Sequence, residues 1–244
     1  MKKIVISKGR AESIKTHYLL DKCDFVVPSS QESDYRKTLG SEAEIKVIPD
    51  NIMGLGAVRN WVLDNYSDEV IVMLDDDIHY FMSLMNLSPK RIVDPKKIDA
   101  ILKGAAICAI DAGCTLFSLN QKGDVRKYQL TEPFSLNKWA GTIVGIIGRR
   151  FRFNEVNKLK VDADFTLQCL LEERIMWEDS RYSFSCHRNL NTGGNSEFRT
   201  KSSVDIEVNY LRNKWGKHIK ISNTKGKESL SLQVPRRQRI ILNH

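Results

Sequence analysis

The chain has 244 residues, of which 41% are hydrophobic and 28% are charged, values that are ordinary for a soluble globular protein. The length suits one large domain or two small ones. No apolar run approaches the roughly 18 residues that a membrane span needs. The five cysteines have no CxxC spacing, so we expect reduced, buried thiols in a cytosolic protein rather than a zinc site.

The formal net charge of +8 is concentrated in the last quarter of the chain. Residues 188–244 contain 12 Lys and Arg against 4 Asp and Glu, whereas the first 187 residues contain 26 of each. Such a basic segment is typical of a surface that faces a polyanion such as nucleic acid. A basic solvated tail without a partner is the alternative. The candidate nucleic-acid contacts are Arg199, Lys201, Arg236, Arg237 and Arg239.

Strands and helices alternate through the first third of the chain. Short apolar runs predict strands at Lys3–Ser7, Asp24–Val27, Glu44–Ile48 and Glu69–Leu74. Helical spacing predicts helices at Glu12–Leu20, Ser33–Leu39 and Gly54–Asn65. This alternation indicates βαβ units in a mostly parallel sheet flanked by helices, a Rossmann-like α/β fold.

The later segments continue the same pattern. Helices are predicted at Pro95–Ala112, Asp162–Glu173 and Val204–Trp215, and strands at Cys114–Leu119, Gly141–Ile147 and Ser183–Cys186. Beyond them, Pro235–His244 is expected to be an extended arm.

The most informative motif is the acidic run Asp75-Asp76-Asp77, which directly follows the apolar segment Val70–Leu74. Ligands of open α/β sheets bind beyond the carboxyl ends of the strands. Three adjacent carboxylates repel one another unless a cation or a ligand compensates them, and a hard divalent ion takes carboxylates together with phosphate oxygens. Since alternate residues of an extended chain point the same way, Asp75 and Asp77 are predicted to share a side that faces a metal. An acidic surface turn is the alternative.

Two further groups are suited to chemistry. Arg59 lies on a helix that begins near Gly56, and both helix N-termini and arginine suit phosphate. An ion pair with Asp64 or with the acidic run is the alternative. Asp162 and Asp164 form a second acidic pair, in which one carboxylate is suited to take a proton from an acceptor hydroxyl. Capping of the helix N-terminus is the other interpretation of this pair.

These motifs together resemble the glycosyltransferases of the GT-A fold, whose hallmark is a strand followed by DxD. The segment Asn51–Asn60 resembles the N-x-G-x-x-x-A-R-N helix that lines the nucleotide-sugar pocket of that family. Ile4–Arg10 resembles its first strand and nucleoside-binding loop, and Val161–Phe165 resembles the acidic position that often supplies the catalytic base. The similarity extends over about residues 3–195.

The resemblance implies roles for individual residues and a divalent metal, Mn²⁺ or Mg²⁺. Asp164 is the preferred catalytic base because it aligns with the second acid of the family pattern, and Asp162 comes next. Glu178-Asp179 is a further candidate for this base, or else a solvated turn. The implied metal ligands are Asp75, Asp77 and His187, although for His187 a strand-edge histidine is the slightly favoured alternative. The implied donor-binding residues are Ser7, Arg10, Gly54, Gly56, Arg59, Asn60, Asp75 and Asp76.

A narrower resemblance is to the TET-associated glycosyltransferases, which are found largely in phages and are thought to glycosylate hydroxymethylated pyrimidines in DNA. It depends on the short chain and on four segments, namely Ser7–Arg10, Asp75–Ile78, Asp162–Phe165 and Thr192–Asn195. The implied activity is transfer of a sugar from a UDP-type donor to the hydroxymethyl group of a modified pyrimidine in DNA.

The resemblance further implies a monomer without membrane attachment, in the cytoplasm, which is the host's if a phage encodes the protein. The implied organisation is a single domain, with a GT-A-like catalytic part over residues 1–195 and a basic C-terminal helix and arm, residues 196–244, that pack on it. Three other functions are compatible with the sequence. They are transfer to a polysaccharide, lipid or protein acceptor, nucleotidyl transfer, and DNA binding without catalysis.

Overall fold

The computed structural model describes residues 1–85, 88–186, 200–224 and 227–234. The α-helices are α1 (Glu32–Leu39), α2 (Leu55–Asn65), α3 (Pro95–Asp111), α4 (Val161–Glu173) and α5 (Lys201–Trp215). The strands before α3 are β1 (Lys2–Ile6), β2 (Asp24–Pro28), β3 (Glu44–Ile48), β4 (Val70–Asp75), β5 (Ile78–Ser83) and β6 (Lys90–Ile92). Those after it are β7 (Leu116–Asn120), β8 (Phe134–Ser135), β9 (Ile143–Ile147), β10 (Trp177–Cys186), β11 (Ile219–Thr224) and β12 (Lys227–Leu232).

One large sheet has the strand order β3-β2-β1-β4-β9-β7-β10-β5-β6, with β8 paired to β10. Strands β1 to β4 are parallel. Strands β5, β8 and β9 run opposite to the other strands of this sheet. The prediction of an α/β fold with a mostly parallel sheet is therefore confirmed. The separate β11–β12 hairpin was not predicted.

Both faces of the sheet are buried, as expected for strands that are apolar throughout. In β4, Val72 and Leu74 belong to a core cluster that includes residues of α1 and α3. Ile71 and Met73, which alternate with them along β4, belong to a second core cluster. That cluster includes residues of α2 and α4 and also Leu211 of α5. The C-terminal helix therefore packs on the same face of the sheet as α2 and α4.

The prediction of a single helix over Glu12–Leu20 is wrong. In its place are two short 3-10 helices, Ala11–Ser13 and Thr16–Leu19. The backbone N–H groups of Lys15 and Thr16 donate to the Asp76 carbonyl, at 2.9 and 3.2 Å. The Thr16 hydroxyl donates to the Asp75 carbonyl at 2.7 Å. A continuous helix would need these N–H groups for its own hydrogen bonds, so the acidic turn prevents it.

The last strand of the sheet is longer than predicted, because β10 begins at Trp177 rather than Ser183. Glu178 and Asp179 are therefore buried strand residues, which corrects their interpretation as a solvated turn. Asp179 forms an ion pair with Arg181 at 2.7 Å, which compensates its charge. The predicted arm over 235–244 and the Thr192–Asn195 turn lie outside the described residues.

In the part of the chain that the structure describes, no helix combines the length and the apolar character needed to cross a membrane. None of the five cysteines forms a disulfide bond, and Cys114 and Cys169 are buried.

Candidate active site

The acidic run closes β4 and turns the chain into β5. Asp75 is the last residue of β4, and its backbone N–H donates to the Thr142 carbonyl, just before β9, at 3.1 Å. Asp76 is buried, with 4% of its surface exposed. The side chain of Asp75 keeps 40% of its surface exposed. Neighbouring acids in one turn therefore have different environments.

Asp76 points towards the loop that follows β1. It accepts hydrogen bonds from the Ser7 hydroxyl and from Arg10 Nη1, the latter at 2.7 Å. The Tyr35 hydroxyl lies 2.6 Å from Ser7 Oγ and accepts from the Arg10 backbone N–H at 3.2 Å. Desolvation lowers the pKa of Arg10, but the charge and hydrogen bond of Asp76 outweigh it, so the pKa is raised. Three predicted donor-site residues, Ser7, Arg10 and Asp76, are thus brought together.

Asp75 faces a different cation, since its Oδ1 lies 3.8 Å from Arg59 Nη2. Desolvation raises the pKa of Asp75 to about 7, and the charges of Asp77, Asp76 and Asp162 add to this effect while Arg59 opposes it. Raised pKa values of this kind are frequent at functional sites.

Arg59 is almost fully buried in α2, with 2% of its surface exposed. Its Nη2 donates to the Gly141 carbonyl at 3.3 Å, and its guanidinium carbon lies 5.3 Å from the centre of the Phe153 ring. Its Nε and Nη1 find no hydrogen-bond partner among the described residues. Desolvation lowers the pKa of Arg59, and the charges of Asp75 and Asp162 oppose that change. A buried guanidinium with two uncommitted donors is suited to an anionic ligand.

The sequence also suggested that Arg59 forms an ion pair with Asp64 or with the acidic run, and the structure distinguishes the two. The pairing acid of Arg59 is Asp75 of the acidic run, whereas Asp64 pairs with Arg152 on the outer side of α2. The weak 3.8 Å contact to Asp75 leaves the guanidinium able to bind a further anion.

Asp162 lies in the first turn of α4, on the same side as Arg59 and Asp75. Its Oδ2 accepts from the Trp139 indole N–H at 2.9 Å. A Cβ atom added at Gly141 would lie 3.3 Å from this Oδ2, so the carboxylate borders the residue whose carbonyl binds Arg59. Arg59 and Asp162 therefore both border Gly141, and Asp75 adjoins them through its 3.8 Å contact with Arg59, although the three residues come from a strand end and two helices.

Asp164 lies on the opposite side of α4 and has no exposed surface. Its carboxylate accepts from Lys214 Nζ at 2.8 Å, from the Trp215 indole N–H at 2.8 Å and from Gln168 Nε2 at 2.8 Å. A base has to contact the acceptor hydroxyl, and a carboxylate so enclosed cannot do so. The contacts therefore favour Asp162 over Asp164, and the identity of the base stays a prediction.

Gly54, Gly56 and Asn60 of the Asn51–Asn60 motif determine the path of the backbone at and beside α2. Gly54 has a φ of +91°, which favours glycine, at the N-terminus of α2. A Cβ at Gly56 would lie 2.4 Å from the Asn154 carbonyl oxygen, so only glycine permits this close approach. Asn60 Nδ2 donates to the Phe153 carbonyl at 3.0 Å, and its Oδ1 accepts from the Phe153 N–H at 2.9 Å. These three residues thus fix α2 and the 153–158 segment, and their predicted donor contacts stay a prediction.

The carboxylates of the acidic turn fit a hard divalent cation in their chemistry. Asp75 and Asp77 would supply oxygen ligands, and their mutual repulsion is of the kind that a cation relieves. Among the described residues, no three His, Cys, Asp or Glu side chains form a metal-binding group. His187, the third predicted ligand, lies outside those residues. A diphosphate and water would complete the coordination of such an ion.

The predicted nucleic-acid contacts are mostly in undescribed parts of the chain. Lys201 is the first residue of α5. Arg199, Arg236, Arg237 and Arg239 lie outside the described residues.

Sequence reasoning missed two residues of the site. Tyr35 has the spacing of a core residue in α1 and gave no functional signal. The other is Trp139, whose indole N–H binds Asp162. Trp139 precedes β9, and it lies at the carboxyl end of β4 only because β9 runs antiparallel to β4, which the sequence did not indicate.

The solved structures with a similar fold include two glycosyltransferases in complex with nucleotides and metal ions. The mannosyltransferase PcManGT of Pyrobaculum calidifontis, in complex with GDP-Man and Mn²⁺, gives a TM-score of 0.53 at 14% identity, covering 81% of this chain and 59% of that one. Glucosyl-3-phosphoglycerate synthase of Mycobacterium tuberculosis, in complex with Mg²⁺ and UDP, gives 0.51 at 10% identity, covering 96% and 86%. This structural similarity shows that the chain has a GT-A fold.

At the sequence level, the chain is similar to the beta-glucosyl-HMC-alpha-glucosyl-transferase of Enterobacteria phage T2, with 37% identity over 70 residues. That match covers 28% of this chain and 25% of the phage protein, so it spans only a quarter of the relative's length. The model of the TET-Associated Glycosyltransferase family matches residues 1–193, which include the acidic turn, α2 and the start of α4. The chain therefore belongs to the TET-associated glycosyltransferases.

Proposed function

We propose that the protein transfers a sugar from a UDP-type nucleotide-sugar to the hydroxymethyl group of a modified pyrimidine in DNA, with Mn²⁺ or Mg²⁺ as cofactor. The observation that carries this proposal is the convergence of Asp75, Arg59 and Asp162 near Gly141. It combines a carboxylate for a cation, a buried arginine for an anion and a second carboxylate for a proton. Transfer of a sugar from a nucleoside diphosphate needs all three.

The donor side consists of the acidic turn and the loop after β1. Asp75 and Asp77 would hold the divalent cation, which when bound neutralises charge on the departing diphosphate. Arg59 directs its uncommitted Nε and Nη1 donors to a phosphate oxygen. Ser7, Arg10 and Asp76 form a hydrogen-bonded unit that fixes the shape of the nucleoside end. The Asp76 carboxylate is already bound by Ser7 and Arg10. It therefore supports the donor site indirectly, by holding these two residues in place.

Asp162 is the group proposed to take the proton from the acceptor hydroxyl. The Trp139 indole N–H holds one of its oxygens at 2.9 Å and thereby orients the carboxylate. The side chain is partly exposed, unlike that of Asp164, so an acceptor can reach it. A positioned base of this kind accounts for a rate gain of about 10²–10⁴.

The acceptor is proposed from charge and from the phage relative. The positive charge between residues 188 and 244 suits a DNA backbone, with Arg199, Lys201, Arg236, Arg237 and Arg239 as contacts. The relative is named for glucosyl transfer involving HMC, which we take as hydroxymethylcytosine. A DNA-modifying phage enzyme would act as a monomer in the host cytoplasm.

The test is a transfer assay with Mn²⁺, a panel of nucleotide sugars and four DNA acceptors. The acceptors contain unmodified cytosine, hydroxymethylcytosine, hydroxymethyluracil or glucosylated hydroxymethylcytosine, and the nucleosides are weighed after digestion. A hexose or pentose mass gain on the hydroxymethylcytosine or hydroxymethyluracil DNA but not on unmodified DNA, which chelation of the metal abolishes and Mn²⁺ restores, supports the proposal. A gain on the glucosylated DNA alone would show that the acceptor is the first sugar and not the hydroxymethyl group.

Two further outcomes would count against it. Release of nucleoside diphosphate without any DNA product would favour a polysaccharide, lipid or protein acceptor. A mass gain on unmodified DNA would show that the hydroxymethyl group is not the acceptor.

A further inference from the structure

The C-terminal helix contacts the segment that presents Asp162. Family similarity ends at residue 193, and α5 lies beyond it. Its buried Glu207 accepts hydrogen bonds from three successive backbone N–H groups, those of Lys158, Leu159 and Lys160, at 2.7, 2.8 and 2.9 Å. These groups directly precede α4. Lys160, at the N-cap of α4, has no side-chain capping bond of its own.

A second contact lies seven residues further along α5, close to two helical turns, and therefore on the same face. Lys214 Nζ and the Trp215 indole N–H both donate to Asp164 Oδ1 at 2.8 Å. Asp164 is fully buried in the first turn of α4. The two contacts thus fix the chain immediately before and immediately after Asp162.

We propose that Glu207 is a positioning residue for Asp162, so that α5 completes the active centre from outside the family-matched region. The inference depends on the proposed role of Asp162 as the base. A carboxylate that binds three consecutive N–H groups fixes the direction in which the chain enters α4. That direction sets where the Asp162 oxygen stands relative to Gly141 and Arg59. Rate is sensitive to such placement, since displacement by about 1 Å costs up to about 10²-fold.

The test compares Glu207→Ala, Glu207→Gln and Leu211→Ala in the full chain. Leu211 is a fully buried apolar residue of the same helix, so its truncation destabilises α5 without removing a polar contact to α4. Each variant is assayed for kcat and donor KM in the DNA transfer reaction, for UDP affinity in the presence of Mn²⁺, and for thermal stability.

We expect Glu207→Ala to lower kcat about 10- to 100-fold while donor KM and UDP affinity change less than about threefold, because the donor half is built on β1, β4 and α2. Glu207→Gln keeps one oxygen acceptor and should recover part of kcat. Leu211→Ala should keep kcat near the wild-type value even where its melting temperature falls as far as that of Glu207→Ala.

Three results would overturn the inference. The first is a wild-type kcat in Glu207→Ala, the second a change in donor KM alone, and the third an equal loss of kcat in Leu211→Ala at matched stability. Failure of the proposed function is a separate result, because then the wild-type chain transfers sugar to none of the DNA acceptors.

Discussion

The acidic run Asp75-Asp76-Asp77 and the first turn of α4 each contain aspartates that lie in different environments. Asp76 is buried against Ser7 and Arg10, and Asp164 is buried against Lys214 and Trp215. Their neighbours Asp75 and Asp162 instead face Arg59 and Gly141. In each motif, one buried carboxylate is bound by residues from other parts of the fold, and another is accessible and is proposed to take part in the chemistry. The comparison teaches that an acidic motif locates a site but does not identify its working residue.

The strongest test of this division concerns the turn of α4. Asp162→Asn should lower transfer about 10²–10⁴-fold, because the amide cannot accept the proton, and should leave thermal stability unchanged. Asp164→Asn should instead cost about 1–3 kcal/mol of unfolding free energy, since Lys214 loses its buried carboxylate. Steady-state kinetics and chemical denaturation measure the two effects. If Asp164→Asn abolished transfer at full stability while Asp162→Asn stayed active, the roles would be reversed.

The same contrast is expected in the acidic turn. Asp75→Asn should lower transfer about 10²–10³-fold by weakening charge stabilisation at the diphosphate. Asp76→Asn should mainly reduce stability, by about 1–3 kcal/mol, because Arg10 loses a buried hydrogen-bond partner. Transfer measured over a titration of Mn²⁺, together with thermal unfolding, separates the two. Wild-type transfer by Asp75→Asn over the whole Mn²⁺ range would contradict the assignment.

Arg59 lies between the two acidic motifs, so its replacement tests how they act together on the donor. Arg59→Lys keeps the charge but loses the planar fork of donors, and should raise the donor KM about tenfold. Arg152→Lys is the matched control, because Arg152 is on the exposed side of α2 and pairs with Asp64. Donor titrations at saturating acceptor measure both. An equal rise of KM in the two variants would show a general charge effect rather than a phosphate contact.

The smallest effect on catalysis is expected where α2 meets the segment that leads to α4. Gly56→Ala should cost about 1–3 kcal/mol of stability, because its Cβ would lie 2.4 Å from the Asn154 carbonyl oxygen. Gly104→Ala in α3 is the control, since a Cβ there meets nothing within 4 Å and alanine favours the helix. Thermal denaturation of both variants is the measurement. A Gly56→Ala protein as stable as the wild type would mean that the approach to Asn154 is not tight.

Much of the fold was predictable because its signals are local. The apolar run Val70–Leu74 and the acids that follow it specify a buried strand with a polar end, and β1 to β4 came out close to their predicted bounds. Strand β5 was not predicted, since Ile78–Ser83 mixes apolar and polar residues and follows the acidic turn directly. Its pairing partner β10 is about 100 residues away in the chain, and a local pattern contains no such information.

The sequence by itself determined the fold class, the family resemblance and the neighbourhood of the acidic run, because hydrophobic periodicity and short motifs depend on residues close in the chain. Only the tertiary structure decided which aspartate of each motif faces the site. That choice depends on Arg10, on Arg59 and on Lys214, which come from other elements and compensate particular carboxylates. A buried charge requires a partner at a defined place, and the packing of distant helices provides it.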